Sequence, residues 1–296
     1  MHGEKYIIIV NPISGTVSKE TIVGKVTDII KSEGGVPSVR FTEHSGHATK
    51  LAQEAIDAGC NNIIVIGGDG TINEVATALV KTTATLGIIP CGSGNGLARH
   101  LRIPLNVEKA TRMILKGCTQ AIDYCTVNGK MFFCTFGLGF DASVASDFAR
   151  QSNRGLATYI KSALRVYKNY KPDNYVIKYG EEILNEQFYI VSTCNASQYG
   201  NNAKIASKAV IDDGLLDVVL VRPGNHLSRA GMTVKMFTGR IKSGKNIIYL
   251  QVPKVSFSNT SNKVFPVHLD GEPFEMSGEI VVECHKRQLN VFVPES

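Results

Sequence analysis

No stretch of this 296-residue sequence stays apolar long enough to cross a bilayer as a helix. The leading MHGEKYIIIVNP holds one apolar run, Tyr6 to Val10, too short for a signal peptide or a transmembrane span. Long runs of like charge are also absent, which excludes a basic tail. The formal charge is a mild +6 and the pI about 8.9, a bias toward anionic partners such as phosphates or acidic membrane surfaces that does not demand nucleic acid. The seven cysteines (60, 91, 118, 125, 134, 194 and 284) are odd in number, scattered and without a CxxC pair. They read as reduced thiols in a cytoplasmic protein. His44, His47 and His100 form no HxxxH pair that would suggest zinc. Internal repeats and low-complexity segments are missing. What is present is 43% hydrophobic residues, enough for the core of one large domain or two ordinary ones.

The first 120 or so residues alternate strand and helix. KYIIIV runs into NPISGT, and Ile22, Val26, Ile29 and Ile30 then mark one helical face, stopped by Gly34 and Gly35. VPSVRFTE is a second strand, and Ala48, Leu51, Ala52, Ala55 and Ile56 mark a helix closed by Gly59. NIIVIGG is a third, followed by helical spacing of Ile72, Val75, Ala76, Leu79 and Val80; TLGIIP is a fourth, leading into CGSGNGLARHL. Short apolar strands alternating with helices predict a parallel sheet covered on both faces, whose ligands bind at the carboxyl ends of the strands. After Asp123 the pattern becomes KMFFCTF, NYVIKY, QFYIVSTC, LLDVVLV, NIIYLQV, KVSFS, VFPVHLD, EIVVECH and LNVFV, an antiparallel β domain. One helix interrupts it, over about residues 154–168. Leu156, Ile160, Ala163, Leu164 and Tyr167 share one face of that helix, and Arg154, Lys161, Arg165 and Lys168 form a stripe beside it. The expected domains are therefore 1–123 and 124–296, with the last strand able to return to the first domain.

IIVIGGDGTINEV, residues 63–75, ends a buried strand on an aspartate held between glycines. Gly67, Gly68 and Gly70 let the backbone approach a phosphate, and a helix starting near Thr71 adds its amides to the same spot. Asp69 among these donors suits Mg²⁺ beside a polyphosphate, as an inner or outer ligand or an orienter; the plainer reading is a helix cap. NPISGT (11–16) and CGSGNG (91–96) are further loops of this kind, and three at one sheet edge make a nucleotide cradle. No GKS or GKT follows, so it is not a Walker motif, and no GxGxxG follows the first strand.

NPxSG, GGDGTINEV and IIPCGSGNGLAR, in this order, resemble the diacylglycerol kinase catalytic-domain family, lipid kinases that include bacterial diacylglycerol kinases and eukaryotic sphingosine kinases. The resemblance continues through AIDYCTVNG around Asp123, FGLGFDASV around Asp141, DDGLLDVVLV around Asp213, and LDGEP. It implies a nucleotide domain of the NAD kinase/diacylglycerol kinase type with a parallel sheet, and a second, antiparallel β-sandwich domain that holds the lipid head across a cleft. It places ATP on Asn11, Pro12, Ile13, Ser14, Gly15, Thr42, Gly67, Gly68, Asp69, Gly70, Thr71, Ile72, Asn73 and Ser93, with catalytic Mg²⁺. By the same resemblance Asp270 or Glu272 is the base that takes the acceptor's proton; a plain turn is the alternative for LDGEP. Val210, Asp213 and Leu215 correspond to a structural Mg²⁺ site, or to a turn without metal. Asp141 corresponds to a head-group contact, or to a helix cap, and Asp123 supports the substrate site or bonds a hinge amide.

The function expected is transfer of the γ-phosphate of ATP to a lipid hydroxyl, diacylglycerol giving phosphatidic acid in phospholipid biosynthesis. GSGNGLA is closer to the sphingosine kinase form of the third loop than to the GTGND of many bacterial diacylglycerol kinases, so a sphingoid base is the alternative acceptor. NAD kinase shares GGDGT but is disfavoured by LDGEP and NPISGT, and intact Asp69, Asp270 and Glu272 argue against a silent regulator. The expected setting is cytoplasmic and peripheral at a membrane surface, with the basic helix as the dock and a homodimer compatible.

Overall fold

Four short runs rich in isoleucine and valine become β1 (Lys5–Val10), β2 (Val36–Phe41), β3 (Asn62–Gly67) and β4 (Thr85–Pro90). The structure, a computed structural model, describes residues 3–15, 18–151, 156–201, 203–225, 235, 238–259 and 264–295, with the side chains of 156 and 157 outside that description. These strands pair in parallel in the order β2-β1-β3-β4. Ile63 to Ile66 of β3 are fully buried, so both faces of the sheet are covered there. The connecting helices α1 (Lys19–Ser32), α2 (His47–Asp57) and α3 (Asp69–Leu79) bury the stripes read from the sequence: Ile22, Val26 and Ile30; Ala48, Leu51, Ala52 and Ala55; Ile72, Val75, Ala76 and Leu79. Each large aliphatic side chain buried this way contributes about 1.5–3 kcal/mol. Two further helices, α4 (Gly96–His100) and α5 (Val107–Leu115), follow β4; Asn106 caps α5 by accepting the N–H of Lys109 at 3.0 Å.

The chain divides into two compact units, Met1–Ile122 with Arg287–Ser296, and Asp123–Lys286. It enters the second unit along β5 (Thr119–Val127) and leaves along β16 (Ile280–Phe292). The end of β16 lies parallel to β4, with Asn290 and Val291 opposite Thr85 and Leu86.

The second unit is an antiparallel β-sandwich. One of its sheets holds β8 (Asp173–Tyr179), β9 (Glu182–Phe188), β13 (Lys254–Ser258) and the start of β16, with β5 and β6 (Lys130–Phe132) alongside. The other runs in the order β12 (Ile247–Val252), β11 (Leu216–Val221), β10 (Ile190–Cys194), β7 (Thr135–Gly139), β14 (Phe265–Leu269), β15 (Glu272–Met276). Phe132, Tyr175, Ile177 and Phe257 of the first sheet meet Phe136, Leu138, Val191 and Val218 of the second in one core. A smaller core of Tyr189, Ile190, Ile205, Val219 and Ile241 covers the second sheet's other face. Burial on both sides is why every position of β10 and β11 is buried, Ser192, Thr193 and Asp217 included, rather than every second one.

Four local features depart from the sequence expectation. Among the described residues, helices α6 (Phe140–Ala149) and α7 (Leu156–Asn169) both interrupt the sandwich where one helix was expected; residues 154 and 155 of the expected helix lie outside the described residues. KMFFCTF is broken between β6 and β7, because the amides of Phe133, Cys134 and Thr135 bond a side chain instead of a strand. QFYIVSTC switches sheets at Tyr189, whose N–H reaches Val221 O at 2.7 Å while Phe188 still pairs with Asp173. EIVVECH and LNVFV are one strand, β16, carried past its polar middle with Arg287 at φ +51°.

Candidate active site

In the first unit the three glycine loops and Thr42 all sit at the carboxyl ends of adjacent parallel strands. Asn11 links the first loop to the second: its Nδ2 donates to Thr71 Oγ1 at 2.9 Å, and its Oδ1 accepts the Ile13 N–H at 3.1 Å. Ser14 Oγ closes the turn by donating to Asn11 O at 3.0 Å. Thr42 continues the edge, its N–H donating to Val10 O at 2.9 Å. Glu74 of α3 accepts the amides of Gly46 and Ala48 at 2.8 and 3.1 Å, fixing the loop between β2 and α2 against α3.

Asp69 is the first residue of α3, whose cap is Gly68 with no side-chain cap bond. Its carboxylate instead accepts the N–H of Asn95 at 2.8 Å and of Gly96 at 2.7 Å, the cap and first residue of α4. It therefore caps the neighbouring helix and ties the second loop to the third. Gly68 is held in extended conformation, φ −95° and ψ −175°. The glycines serve close approach: a Cβ on Gly92 would stand 2.8 Å from the Cα of Gly68. Asn95, at φ +52°, locks this contact by accepting Gly92 N–H and donating to Gly92 O. Ile72 is buried, so only its backbone can face a ligand, whereas Ser93 is exposed and Pro12 and Ile13 stand out from the surface.

In the second unit, Asp270 and Gly271 both have positive φ, +49° and +88°, between the paired residues Leu269 and Glu272. That is the two-residue hairpin with a type I′ turn, which Asp-Gly favours. The Asp270 carboxylate accepts three amides, Phe133 at 2.9 Å and Cys134 and Thr135 at 2.8 Å each. Glu272 begins β15 and is exposed.

Asp141, in the first turn of α6, accepts the Ala142 N–H on Oδ1 and the Tyr199 hydroxyl on Oδ2 at 2.8 Å; His268 Nε2 faces Oδ2 at 3.4 Å. Asp141 is 6% exposed and His268 2%. Burial, and then the Asp141 charge, pushes the Tyr199 phenol well above its ordinary pKa, so it remains a donor. His268 Nδ1 is buried without a hydrogen-bond partner.

Asp123 is fully buried and accepts Gly214 N–H at 2.6 Å and Cys284 Sγ at 3.6 Å, while its own N–H reaches Ile211 O. It thus fixes the turn of residues 211–215, in which Asp213 accepts the Leu215 N–H at 2.9 Å. Among the described residues no cluster of three or more His, Cys, Asp or Glu could hold a metal ion. A cation at this turn would draw on the carbonyls of Val210 and Leu215 beside Asp213, an all-oxygen set of the kind Mg²⁺ takes.

Comparison with known proteins follows this division. The family model of the diacylglycerol kinase catalytic domain matches residues 5–127, and that of the YegS C-terminal NAD kinase beta sandwich-like domain matches residues 135–293. A protein of Chromohalobacter salexigens named "Probable lipid kinase YegS-like" is 30% identical over 277 residues, covering 92% of this chain and 87% of its own. The chain belongs to the diacylglycerol kinase catalytic-domain family. It is a lipid kinase of that family. A protein of the same name from Yersinia pestis is 30% identical over 269 residues, covering 88% of each chain. The fold is that of a diacylglycerol kinase structure from Bacillus anthracis str. Sterne, TM-score 0.79 at 20% identity over 98% of this chain and 97% of that one.

Lys19, Asn95, Tyr199 and His268 of this lipid kinase escaped the sequence reading. Lys19 lies in the first turn of α1, 6% exposed, and its charge acts on the Cys91 thiol of the third loop, which burial pushes up. Its signal was a lysine shortly after NPISG. His268 had one too, a polar residue two positions before Asp270 and so on the same strand face. Tyr199 had none, since its partner Asp141 is distant in sequence.

Proposed function

We propose that this lipid kinase transfers the γ-phosphate of Mg²⁺-bound ATP to the free hydroxyl of a glycerolipid, with diacylglycerol giving phosphatidic acid. The observation that carries this reading is the cross-tied edge of the parallel sheet, where Asn11, Asp69 and Glu74 hold the strand-end loops together and the amide ends of α3 and α4 converge. Converging helix N-termini favour a polyphosphate. In this reading Asn11 to Gly15, Thr42, Gly67 to Asn73 and Ser93 surround the nucleotide, and Lys19 adds a cation beside its phosphates. Asp69, already bonded to two amides, would use its remaining lone pairs to help hold Mg²⁺ beside the phosphates. The metal, when bound, neutralises charge on the β- and γ-phosphate oxygens. Asp123 and Asp213 shape the 211–215 turn.

Glu272 is the base in this scheme, because the Asp270 carboxylate is occupied by three amides. As the acceptor oxygen bonds the γ-phosphorus, the bond from that phosphorus to the bridging oxygen of ADP breaks, and the hydroxyl proton passes to Glu272. No helix among the described residues is long and apolar enough to cross a membrane; in this reading the lipid is met at the membrane surface. The test is incubation with γ-labelled ATP and Mg²⁺ against diacylglycerol, monoacylglycerol, sphingoid base, ceramide, phosphatidylglycerol and NAD. Label is expected on a glycerolipid. Label on the sphingoid base alone would move the acceptor to the alternative class, and label on NAD alone would defeat the reading.

A further inference from the structure

All seven cysteines of the chain are free thiols, and two of them face each other in a place that the transfer step does not use. β5 and β16, the strands by which the chain enters and leaves the second unit, pair with each other. Asn128 N–H donates to Val281 O at 3.0 Å, and Val281 N–H to Asn128 Oδ1 at 2.8 Å. Counting back along an antiparallel pair from there sets Tyr124 opposite His285, and those two rings are stacked with centroids 4.6 Å apart. The same count sets Cys125 opposite Cys284. Both face the core between the two sheets, Cys125 fully buried within it and Cys284 half-buried against it. The two thiols lie within hydrogen-bonding reach of each other.

The backbone favours closure as well. Cys284 N–H turns to the β13 side, donating to Pro253 O at 2.9 Å, so toward β5 this residue occupies a non-hydrogen-bonded position of the ladder. Cα atoms across such a pair are about 4.5 Å apart, inside the range of about 4.4–6.8 Å that a disulfide spans. A bridge therefore closes without parting the strands. The thiols differ in access: burial, and then the Cys284 contact, pushes the Cys125 thiol well above its ordinary pKa, whereas Cys284 is partly exposed. Cys284 Sγ also donates to Asp123 Oδ2 at 3.6 Å, the fully buried carboxylate that accepts Gly214 N–H at 2.6 Å and so fixes the turn of residues 211–215. A disulfide sulfur has no proton to give. Closing the bridge takes a donor from a buried carboxylate, which destabilises the arrangement that orders this turn.

We propose that Cys284 is a site of reversible oxidation, resolved by Cys125 into a disulfide that withdraws the S–H donor from Asp123 and slows phosphoryl transfer. The oxidant is a hydroperoxide. With hydrogen peroxide, the Cys284 sulfur attacks one oxygen, the O–O bond breaks, and the thiol proton leaves with the other oxygen as water, giving the sulfenic acid. The Cys125 sulfur then displaces the hydroxyl: the S–O bond breaks, the S–S bond forms, and the Cys125 proton leaves with the hydroxyl as a second water. The two thiols lose two electrons to the peroxide, and a dithiol reductant returns them. Formation of the bridge stands apart from the function proposed above; its effect on turnover rests on that reading.

The experiment treats the full chain with hydrogen peroxide, with and without later dithiothreitol, alongside Cys125→Ala and Cys284→Ser. Peptide mass spectrometry should find Cys125 and Cys284 joined in the parent and separate after dithiothreitol. In Cys125→Ala, Cys284 should stop at the sulfenic acid and be trapped by dimedone. The two cysteines stand near the two ends of the second unit, so the bridge closes a long loop and should raise the parent's urea midpoint. It should also cut label transfer from γ-labelled ATP to dioctanoylglycerol by roughly tenfold in kcat. General oxidative damage lowers both quantities. Cys284→Ser, compared with itself before peroxide, should keep its turnover, which separates the bridge from oxidation of Cys91 in the third loop. Absence of the bridge in the parent, or a bridged parent with turnover within twofold of the reduced protein, overturns the proposal. No label on dioctanoylglycerol even in the reduced parent overturns the glycerolipid reading instead, and the oxidation site then stands or falls on the joined peptide and the urea midpoint.

Discussion

Asp270 holds its carboxylate against the amides of residues 133–135, while Glu272, two positions on, begins an exposed strand. The two should therefore fail differently. Asp270→Asn weakens three charge-assisted bonds at the break between β6 and β7, and should lower unfolding stability by roughly 2–4 kcal/mol, read from urea midpoints. Glu272→Gln should leave the midpoint nearly unchanged and cut kcat by roughly a hundredfold or more, with ATP affinity hardly altered. Near-parental turnover in both variants would send the search for the base to Asp123 or Asp141. Asp217 on β11 gives a pH prediction. Burial pushes its carboxyl up to about 6, against the pull of the Tyr249 hydroxyl bonded at 2.6 Å. A carboxyl raised in the folded state contributes stability that is complete below its unfolded pKa, 3.8 in the ordinary case, and is lost as pH rises through about 6. The loss is at most about 3 kcal/mol. Tyr249 and Gln251 both bond Oδ1, while Oδ2 has no hydrogen-bond partner, so Asp217→Asn keeps the acceptor and stays neutral. That variant should unfold at a higher temperature than the parent at pH 8 and lose its advantage near pH 4. Identical melting at pH 8 would contradict the assignment.

At the scale of elements, α7 presents an apolar ridge to solvent, Ile160 47% and Leu164 61% exposed, beside exposed Lys161 and Lys168. Arg165 of the same stripe is tied to Asp147 at 2.8 Å, and Arg154 lies outside the described residues. Tyr159 holds the helix by packing edge-on against Phe148 of α6. Exposed aliphatics one turn apart between lysines suit an anionic lipid surface, which takes up both. Replacing Ile160 and Leu164 with Ser, and Lys161 and Lys168 with Gln, should reduce co-sedimentation with vesicles containing phosphatidylglycerol while turnover of a short-chain soluble lipid is spared. Undiminished sedimentation would return α7 to an ordinary solvated face. The sequence made β1 and β3 of the first unit plain, because each carries an apolar run stopped by turn residues, and the alternation with helices placed β2 and β4. It concealed α6, whose Ala and Ser residues carry little apolar periodicity. The break between β6 and β7 was equally hidden, since Asp270, which causes it, is 135 residues from Thr135.

For the whole molecule, the pattern of strands and helices was enough to expect a parallel-sheet domain followed by an antiparallel β domain, the family resemblance implied that the latter is a sandwich, and the phosphate-type loops announced themselves by composition. The buried network of Asp141, Tyr199 and His268 did not, because it joins three segments that only the folded sandwich brings together. One feature shared by both units bears on how the protein ages. The sequence contains three Asp-Gly pairs, at 69, 213 and 270, and such pairs isomerise when the glycine nitrogen attacks the aspartyl carboxyl carbon, expels water and forms a cyclic imide. Here each carboxylate is pinned by backbone amides: Asp69 by Asn95 and Gly96, Asp213 by Leu215, Asp270 by residues 133–135. The attacking nitrogen is thereby kept from its target, so folded protein stored at 37 °C should accumulate isoaspartate far more slowly at all three pairs than the same chain held in urea. Equal rates in the two samples would mean that the bonds which order these turns do nothing to protect their covalent chemistry.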